Sequence, residues 1–432
     1  MTSYVFNSQV IQDQLVSVLS SGDSLFVGAL AILASLKSSA VIIDSGSVGQ
    51  SIDIVINGAV VGNVSALSGL LNVGSVPNVS INVGTTGVMT GLYGINFASE
   101  NVHILNQGLI RGQSIGIHLG GAFDSGHDIS IINYGTISGA AYAIALLEGT
   151  LERTVLDNHG IIGESITSFA FASSDTTLTN DIIRNSGDIY GDVYMGGGND
   201  LYDARGGTTL GTIFLGPGDD RYIAGQAEET VVGGTGVSKD VLDFRSTAGV
   251  TFALDGTLDA TGVANGDTYT GFAYLTGSST GADTLRGDGQ ANLIKGGGGA
   301  DSLDGAAGLD TLVGGNGADA LTGGLGDDRF LYTRAAEAPD VILDFSNIAG
   351  NNDAFQFVKA TFDATLTLGT LAAAKFQTRA DHVAQDADDR FIFQTTDKSL
   401  WYDADGNGAT AAIMIADLQA NATVTALDIL II

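Results

Sequence analysis

The chain contains no cysteine and few basic residues. Without cysteine, neither disulfides nor thiolate metal sites can contribute, so packing, strand ladders and ions must hold the fold together. Lys and Arg number 17 against 48 Asp and Glu, which gives a formal net charge of −31. This charge repels nucleic acid and anionic lipid and makes cations the natural partners. A hydrophobic fraction of 44% supplies ample material for a core and argues against disorder.

Two features are missing from the N-terminal region. The first basic residue is Lys37, so no basic segment precedes the first apolar stretch, and a Sec-type signal peptide is not expected. The apolar residues 25–36 are too few to cross a bilayer and are interrupted by Gly28, which predicts buried β-structure and no membrane span.

Residues 8–19 have near-helical apolar spacing and are interpreted as a short amphipathic cap, with an edge strand as the alternative.

A nine-residue phrase is repeated six times within residues 278–331. It follows the pattern G-G-x-G-x-D-x-U-x, in which glycines permit a tight left-handed turn and the apolar eighth residue forms a very short strand. Two copies close one coil, so side chains from alternate copies stack in two columns. Column 1 contains Asp283, Asp301 and Asp319, and column 2 contains Asn292, Asp310 and Asp328.

Stacked carboxylates need a counter-ion. Coils about 4.8 Å apart place neighbouring carboxylates where they repel by about 1 kcal/mol in water and about 3.5 kcal/mol at an effective dielectric constant of 20. A divalent ion with several oxygen ligands removes this repulsion, and calcium tolerates irregular geometry better than magnesium. A flexible linker would not carry an apolar side chain at every ninth residue. The predicted calcium ligands are Asp283, Asp301, Asp310, Asp319 and Asp328, the weaker amide of Asn292, and the turns of Gly296, Gly299, Gly308, Gly314, Gly317 and Gly326.

A longer repeat, built on asparagine, glycine and apolar residues, runs through the N-terminal half. Its asparagines follow one another after 25, 24, 27, 25 and 27 residues, the length of a coil in a right-handed parallel β-helix of the pectate-lyase type, which this stretch resembles. Identical turns in every coil favour a structural asparagine ladder over a ligand-binding row. The predicted ladder contains Asn57, Asn82, Asn106, Asn133, Asn158 and Asn185.

Two later segments, residues 195–202 and 215–222, each contain half of the nine-residue phrase. Asp200, Asp220 and Asp240 are spaced by twenty residues, which predicts continuing coils of changed length. Asp200 and Asp220 are further calcium candidates, each with a single copy per coil.

With these repeats, the chain resembles the repeats-in-toxin (RTX) family of bacterial proteins exported by type I secretion. Residues 401–408, the apolar strand 412–416 and the end at 428–432 are similar to the terminal domain of that family. The resemblance implies repeats that fold only on meeting external calcium and an export signal at the extreme C-terminus.

Other parts of this region depart from known patterns. Residues 340–345 are similar to the family, but the stretch after them is not, which leaves a calcium role for Asp344 and Asp353 open. Asp403, Asp405 and Asn407 resemble the start of an EF-hand loop. Its twelfth position is Met414 where a bidentate Glu is needed, so a hairpin turn is predicted.

The predicted fold is all-β: a right-handed parallel β-helix with asparagine-ladder coils, continuing into a calcium-binding RTX parallel β-roll and a β-rich secretion domain. The predicted segments are a cap at 1–22, the β-helix at 23–195, transitional coils at 196–277, the β-roll at 278–332 and a type I secretion domain at 333–432.

An enzyme acting on acidic polysaccharide is the main alternative, because parallel β-helices often have this activity and some epimerases of the family join a β-helix to RTX modules. Its best candidates are Asp124, His127 and Asp128, with Arg111 one coil away. A cluster of this kind in a loop is more often solvated surface than an active site. The chain has neither an H-E-x-x-H zinc helix nor a G-x-S-x-G nucleophile motif, and no catalytic residue is predicted.

The preferred hypothesis is a secreted, calcium-folded structural protein that self-assembles outside a Gram-negative cell as a surface layer or matrix fibre. Solenoid ends expose strand edges, and a head-to-tail contact between copies would propagate into fibres or sheets. The expected partners are calcium ions, further copies of the chain and the type I secretion machinery. An adhesin that binds a cell-surface glycan is a third alternative.

Overall fold

The computed structural model describes residues 3–12, 17–19, 23–36, 38–44, 51–70, 78–98, 101–120, 128–146, 153–165, 168–173, 178–234, 239–245, 248–337 and 339–432. They belong to two compact units. Unit 1 comprises Met1–Asp240 and Gly266–Gly271, and unit 2 comprises Val241–Asn265 and Phe272–Ile432. Nearly all regular structure is β-strand, which confirms the all-β prediction.

Unit 1 is a parallel β-helix. Each coil adds one strand to a first sheet and further strands to a second sheet. The strands of the first sheet are Ser3–Phe6, Ser24–Val27, Ile52–Ile56, Val79–Val83, Val102–Asn106, Asp128–Asn133, Arg153–Asn158, Ile182–Asn185, Leu201–Asp203 and Arg221–Ile223. The strands of the second are Val10–Gln12, Ser17–Leu19, Ile32–Ser35, Val41–Asp44, Ala59–Gly62, Ser65–Leu70, Val88–Ala98, Leu109–Leu119, Thr136–Gly139, Tyr142–Leu146, Ile161–Ile162, Phe169–Ala172, Asp188–Tyr190, Asp192–Tyr194, Thr208–Leu210, Thr212–Phe214, Thr230–Val232 and Thr268–Thr270.

The core of unit 1 consists of aliphatic side chains stacked coil upon coil. Ile104 pairs with Ile131, Ile131 with Leu156, and Leu156 with Ile183, and all four are buried. Buried and half-buried residues alternate along these strands because successive side chains of a strand point to opposite faces. Each fully buried aliphatic side chain contributes about 1.5–3 kcal/mol, so the stack supplies much of the stability of the unit.

The asparagine ladder is real but shorter than predicted. Asn106, Asn133, Asn158 and Asn185 are buried, and Nδ2 of each of the first three donates to Oδ1 of the next asparagine at 2.8 Å. Nδ2 of Asn185 donates to the carbonyl of Thr208 at 3.0 Å. Asn57 and Asn82 are not members, so the six-residue prediction is wrong for these two. The strand register aligns Asn106 with Val83, and Val83 with Ile56. The earlier turns are offset by one residue, which leaves their asparagines beside the buried column.

The N-terminal segment is β-structure, so the predicted amphipathic helical cap is wrong and the edge-strand alternative is right for its described residues. Val10–Gln12 pairs in parallel with Ile32–Ser35, and Ser17–Leu19 pairs with Val41–Asp44. Inter-coil hydrogen bonding therefore overrides the local helical spacing. The β-structure predicted for residues 25–36 is confirmed by the strands Ser24–Val27 and Ile32–Ser35. Its predicted burial holds only in part, because Leu25, Val27 and Leu33 are buried while Leu30 and Leu36 are 93% and 58% exposed.

Unit 2 begins as a parallel β-roll whose two sheets receive strands from alternate nine-residue copies. Leu285, Leu303 and Leu321 project inward from one sheet and Ile294, Leu312 and Phe330 from the other, all at most 1% exposed. The strands of the first sheet are Val241–Asp243, Tyr274–Thr276, Leu293–Gly298, Thr311–Asn316, Arg329–Tyr332, Ala354–Phe357, Gly369–Thr370 and Ile429–Ile431. The strands of the second are Thr251–Ala253, Thr284–Arg286, Ser302–Asp304, Ala320–Thr322, Asp340–Ile342, Phe376–Arg379, Phe391–Gln394, Ser399–Tyr402 and Ile413–Leu418.

The end of unit 2 extends the roll with antiparallel strands. Ser399–Tyr402 pairs in antiparallel fashion with both Phe391–Gln394 and Ile413–Leu418. The second pairing confirms the hairpin turn predicted for Asp403, Asp405 and Asn407. A short hairpin joins Asn347–Ile348 to Asn351–Asn352. The 3₁₀ helices of the described residues are Gly262–Ala264, Ala335–Glu337, Ala373–Lys375 and Ala426–Asp428. No helix in the described part of the chain is long and apolar enough to cross a bilayer.

Candidate calcium sites

In the last four copies, the turns of the roll have a left-handed backbone at the second and fourth places of the repeat. Gly297 and Gly299 have φ of 103° and 134°, and Gly315 and Gly317 have 102° and 144°. Only glycine adopts these angles without strain. A Cβ on Gly315 would collide with the carbonyl oxygen of Gly297, and one on Gly317 with that of Gly299. The turn carbonyls therefore point along the coil axis toward the next turn.

In column 1, hydrogen bonds from backbone N–H groups to carboxylate oxygens connect successive coils. Oδ1 of Asp301 accepts the backbone N–H of Asp283 at 2.8 Å, and Oδ1 of Asp319 accepts that of Asp301 at 2.8 Å. The column continues beyond the repeats, because Oδ1 of Asp340 accepts the N–H of Asp319 at 3.0 Å. One oxygen of each carboxylate thus joins two coils.

Column 2 has the same arrangement. Oδ1 of Asp310 accepts the N–H of Asn292 at 2.7 Å, and Oδ1 of Asp328 accepts that of Asp310 at 2.9 Å. Asp353 extends the column, since its Oδ1 accepts the N–H of Asp328 at 3.1 Å. The structure therefore stacks the predicted residues in the two predicted columns.

The second carboxylate oxygen has a different environment. Among the described residues, the buried Oδ2 atoms of Asp301, Asp310, Asp319 and Asp328 have no hydrogen-bond partner. A Cβ on Gly305 would lie 2.5 Å from Oδ2 of Asp310 and 2.5 Å from the carbonyl oxygen of Gly323. A carboxylate oxygen and a carbonyl oxygen of the next coil thus converge beside the glycine. This oxygen-only donor set suits a hard cation such as calcium.

The first copies of the two columns satisfy themselves. Oδ2 of Asp283 accepts the N–H of Ser278 at 2.7 Å and its hydroxyl at 3.0 Å. Asn292 accepts the N–H of Asp288 at 2.9 Å and donates from Nδ2 to the carbonyl of Ala273 at 3.2 Å. In these first copies, protein groups therefore bind the side-chain atoms whose equivalents in the later copies have no partner among the described residues.

Burial and like charge disfavour ionisation of the columns. Burial, with the neighbouring carboxylates of Asp283 and Asp319, raises the pKa of Asp301 to about 7. Burial raises the pKa of Asp310 to about 7, with smaller effects of the same sign from Asp328 and other acidic neighbours. The pKa values of Asp319 and Asp328 are also raised by burial. A divalent cation would reverse this cost by compensating the charge.

The candidate sites are not clusters of side chains. Within the described ranges, no three acidic, histidine or cysteine side chains come together in a way that could hold a metal ion. Each site instead combines carboxylate oxygen with backbone carbonyls of adjacent turns. The turns of Gly296, Gly299, Gly308, Gly314, Gly317 and Gly326 would provide those carbonyls.

Sequence reasoning missed Asp340 as a member of column 1 and left the roles of Asp344 and Asp353 open. Asp340 and Asp353 extend columns 1 and 2, and Asp344 accepts the N–H groups of Gly323 and Gly324 at 2.9 and 2.8 Å. The remaining oxygen of Asp353 accepts the N–H of Ser346 at 2.8 Å. Asp344 and Asp353 thus use both oxygens on backbone amides. Their irregular spacing from the repeats concealed this role.

The residues considered for catalysis are not brought together in the described part of unit 1. Asp128 forms an exposed ion pair with Arg153, with Oδ1 and Nε 3.2 Å apart. Arg111 pairs instead with Glu164, with 2.9 Å between Nε and Oε1. Asp124 and His127 lie outside the described residues.

The stacked parallel strands and their glycine-aspartate turns define a β-roll protein. Residues 278–312 and 304–331 match the family model of the RTX calcium-binding nonapeptide repeat (4 copies). This segment is therefore an array of calcium-binding RTX repeats, which confirms the repeat prediction and calcium as its ion.

Comparison with solved structures gives a match to a subunit of the mannuronan C5-epimerase from Azotobacter vinelandii. The identity is 29% over 35% of this chain and 79% of that chain, with a TM-score of 0.25. No curated protein matches the chain.

Proposed function

We propose that this protein is a secreted structural protein that folds on calcium and assembles with further copies of itself outside the cell. The observation that carries the proposal is a set of buried oxygens that have no hydrogen-bond partner within the described ranges, namely Oδ2 of Asp301, Asp310, Asp319 and Asp328. Buried polar groups without partners cost about 1–3 kcal/mol each, and more when charged. The calcium-free roll should therefore be unstable, and bound calcium should stabilise it.

Calcium would enter the turns as a structural ion. Asp301 and Asp310 would supply Oδ2, and the turns around Gly314 and Gly323 would supply carbonyl oxygens from the following coil. When bound, the ion supplies positive charge that offsets the repulsion between stacked carboxylates. Extracellular modules bind calcium in the range of about 10⁻⁴–10⁻³ M, so folding would follow export into calcium-rich surroundings.

Exposed leucines on the turns support assembly. Leu309 is 64% exposed and Leu325 is 73% exposed, and they lie on neighbouring turns because Ala307 bridges to Leu325. Burying such side chains against another copy contributes about 1.5–3 kcal/mol each. The calcium-bound turn would thus present an apolar surface only in the folded roll.

The assembly part is tested by electron microscopy and sedimentation of the purified chain with calcium and then with chelator. Ordered assemblies are expected with calcium, and smaller species with chelator. The double variant Leu309→Asp, Leu325→Asp should weaken assembly without loss of calcium binding. Leu427→Asp is the matched control, since Leu427 is 77% exposed but lies outside the repeats. Discrete monomers in both conditions would contradict self-assembly.

The export part rests on the resemblance of residues 333–432 to type I secretion domains. Fusing these residues to a reporter and co-expressing a type I exporter tests it. The fusion should appear in the medium only with the exporter. Equal release without the exporter would count against this route.

A polysaccharide lyase or epimerase is the second candidate. A shallow cleft of about 290 Å³ in unit 1 favours it, because the cleft is lined by His159, Arg184, Ser186 and Arg205 along with acidic residues. Turnover of alginate or pectin that is abolished in Asp128→Ala or His159→Ala would replace the structural proposal. Binding of a glycan without turnover would favour an adhesin.

A further inference from the structure

We propose that unit 1 holds a second column of divalent-cation sites, built on Asp200 and Asp220, outside the RTX repeats. The inference rests on the proposed calcium function of the roll and extends it to coils of a different length. The ligand is a hard divalent cation, with calcium as the expected ion.

The turns of unit 1 adopt the backbone of the calcium-binding turns. Gly196 and Gly198 have φ of 96° and 130°, and Gly216 and Gly218 have 102° and 151°. These are the same two left-handed places as in the roll. A Cβ on Gly216 would collide with the carbonyl oxygen of Gly196, and one on Gly218 with that of Gly198. The carbonyls of both turns therefore point along the axis, as in unit 2.

The carboxylates also have the same connections. Oδ1 of Asp200 accepts the N–H of Asp181 at 2.7 Å, Oδ1 of Asp220 accepts that of Asp200 at 2.7 Å, and Oδ1 of Asp240 accepts that of Asp220 at 2.9 Å. Asp200 and Asp220 are 2% and 1% exposed. Their buried Oδ2 atoms have no hydrogen-bond partner among the described residues. Each turn thus presents one buried, uncommitted oxygen.

The charges acting on these carboxylates are acidic. Asp200 faces Asp181 and Asp220, while Asp220 faces Asp240 and Asp219. Without a cation, two ionised groups would be buried among like charges, which disfavours the charged form of both carboxylates. A divalent ion between the turns would remove both the repulsion and the unmet hydrogen-bonding capacity.

One difference predicts weaker binding than in the roll. Most copies of the roll have glycine at the first place of the repeat. In unit 1 the equivalent residues are Met195 and Leu215, and both are fully buried. In the roll, a Cβ on Gly305 would stand 2.5 Å from the carboxylate oxygen. The side chains of Met195 and Leu215 therefore narrow this flank of the site. We expect the unit 1 sites to fill at higher calcium concentration than the RTX turns.

The test is calcium stoichiometry of the full chain, measured by equilibrium dialysis and atomic emission at saturating calcium. Asp200→Asn with Asp220→Asn should lose one ion per altered turn, seen as loss of the weaker phase of the titration. Asp301→Asn with Asp310→Asn is the matched control and should lose ions from the tighter phase. An unchanged stoichiometry in the Asp200 and Asp220 variant would overturn the proposal.

A second measurement needs no variant. Wild-type crystals soaked in terbium should show anomalous difference peaks beside Oδ2 of Asp200 and Asp220 as well as in the RTX turns. Peaks in the RTX turns alone would refute the unit 1 sites and leave the proposed function intact. Absence of peaks in the RTX turns would instead refute the calcium role of the roll.

Discussion

Asn292 and Asp310 occupy equivalent turns one coil apart, and Oδ1 of Asp310 accepts the backbone N–H of Asn292 at 2.7 Å. Both ends of the Asn292 side chain have protein partners, whereas Oδ2 of Asp310 is buried with no partner in the part of the chain that the structure describes. The two turns therefore differ in one respect: protein groups satisfy the side chain of Asn292, whereas the carboxylate of Asp310 needs an ion.

Exchanging these two side chains should change calcium dependence in opposite directions. Asp310→Asn should stabilise the calcium-free roll by about 1–3 kcal/mol, because an amide can donate to a carbonyl of the preceding coil as Asn292 does. Urea unfolding in chelator measures the change. The reciprocal variant Asn292→Asp should be less stable in chelator and gain more from calcium. Equal stabilities of both variants would mean that the unpartnered oxygen is unimportant.

Protonation of the buried carboxylates should stabilise the roll when calcium is absent. Burial raises the pKa values of Asp301 and Asp310 to about 7 in the metal-free fold, above their ordinary carboxyl range. The folded state therefore binds protons more tightly than the unfolded chain. This stability is fully present below pH about 4 and is lost as pH rises through about 7. In chelator, the melting temperature should fall between pH 4 and pH 8. With saturating calcium the fall should be much smaller, and a melting temperature that rises with pH in chelator would contradict the assignment.

The backbone of Ala306 predicts a stabilising substitution. Ala306 has φ of 74°, at the second place of the repeat, where the other left-handed turns have Gly297, Gly315 and Gly324. Ala306→Gly should stabilise unit 2 by about 1 kcal/mol, since the left-handed conformation costs an L-residue roughly 1–2 kcal/mol. Ala307→Gly is the control without a left-handed backbone and should destabilise by about 0.5–1 kcal/mol. Thermal unfolding in calcium distinguishes them, and destabilisation by both would contradict the strain.

Replacing one asparagine of the ladder should destabilise unit 1. Asn133→Ala would remove two ladder hydrogen bonds, one from Nδ2 of Asn106 and one to Oδ1 of Asn158, at a cost of about 0.5–1.5 kcal/mol for each. Both atoms keep a second, backbone partner, the carbonyl of Thr136 and the N–H of Gly160. Asn57→Ala should cost far less, because Asn57 lies outside the buried column. Chemical denaturation of the two variants provides the measurement. Similar losses would mean that Asn57 belongs to the ladder after all.

The regular repeats made part of the site predictable. An exact nine-residue spacing, with two copies per coil, places Asp301 and Asp319 eighteen residues apart, and the structure stacks them in that register. Asp340 and Asp353 follow their partners by 21 and 25 residues, so no fixed period could reveal them. The prediction for Asn82 is wrong for a related reason, because the strand register aligns it with Leu105, one residue before the ladder position.

The parallel coils, the two acidic columns and the need for a cation can be inferred from the sequence, because they follow from the period, the charge and the placement of glycine. Which oxygens lack a partner among the described residues is a property of the folded chain, since it depends on the backbone amide or carbonyl that each neighbouring coil presents. Ser278 satisfies Asp283, while the later glycine turns leave Oδ2 of Asp301 unsatisfied. Hydrogen bonds between coils are set by register, and register is a property of the assembled stack.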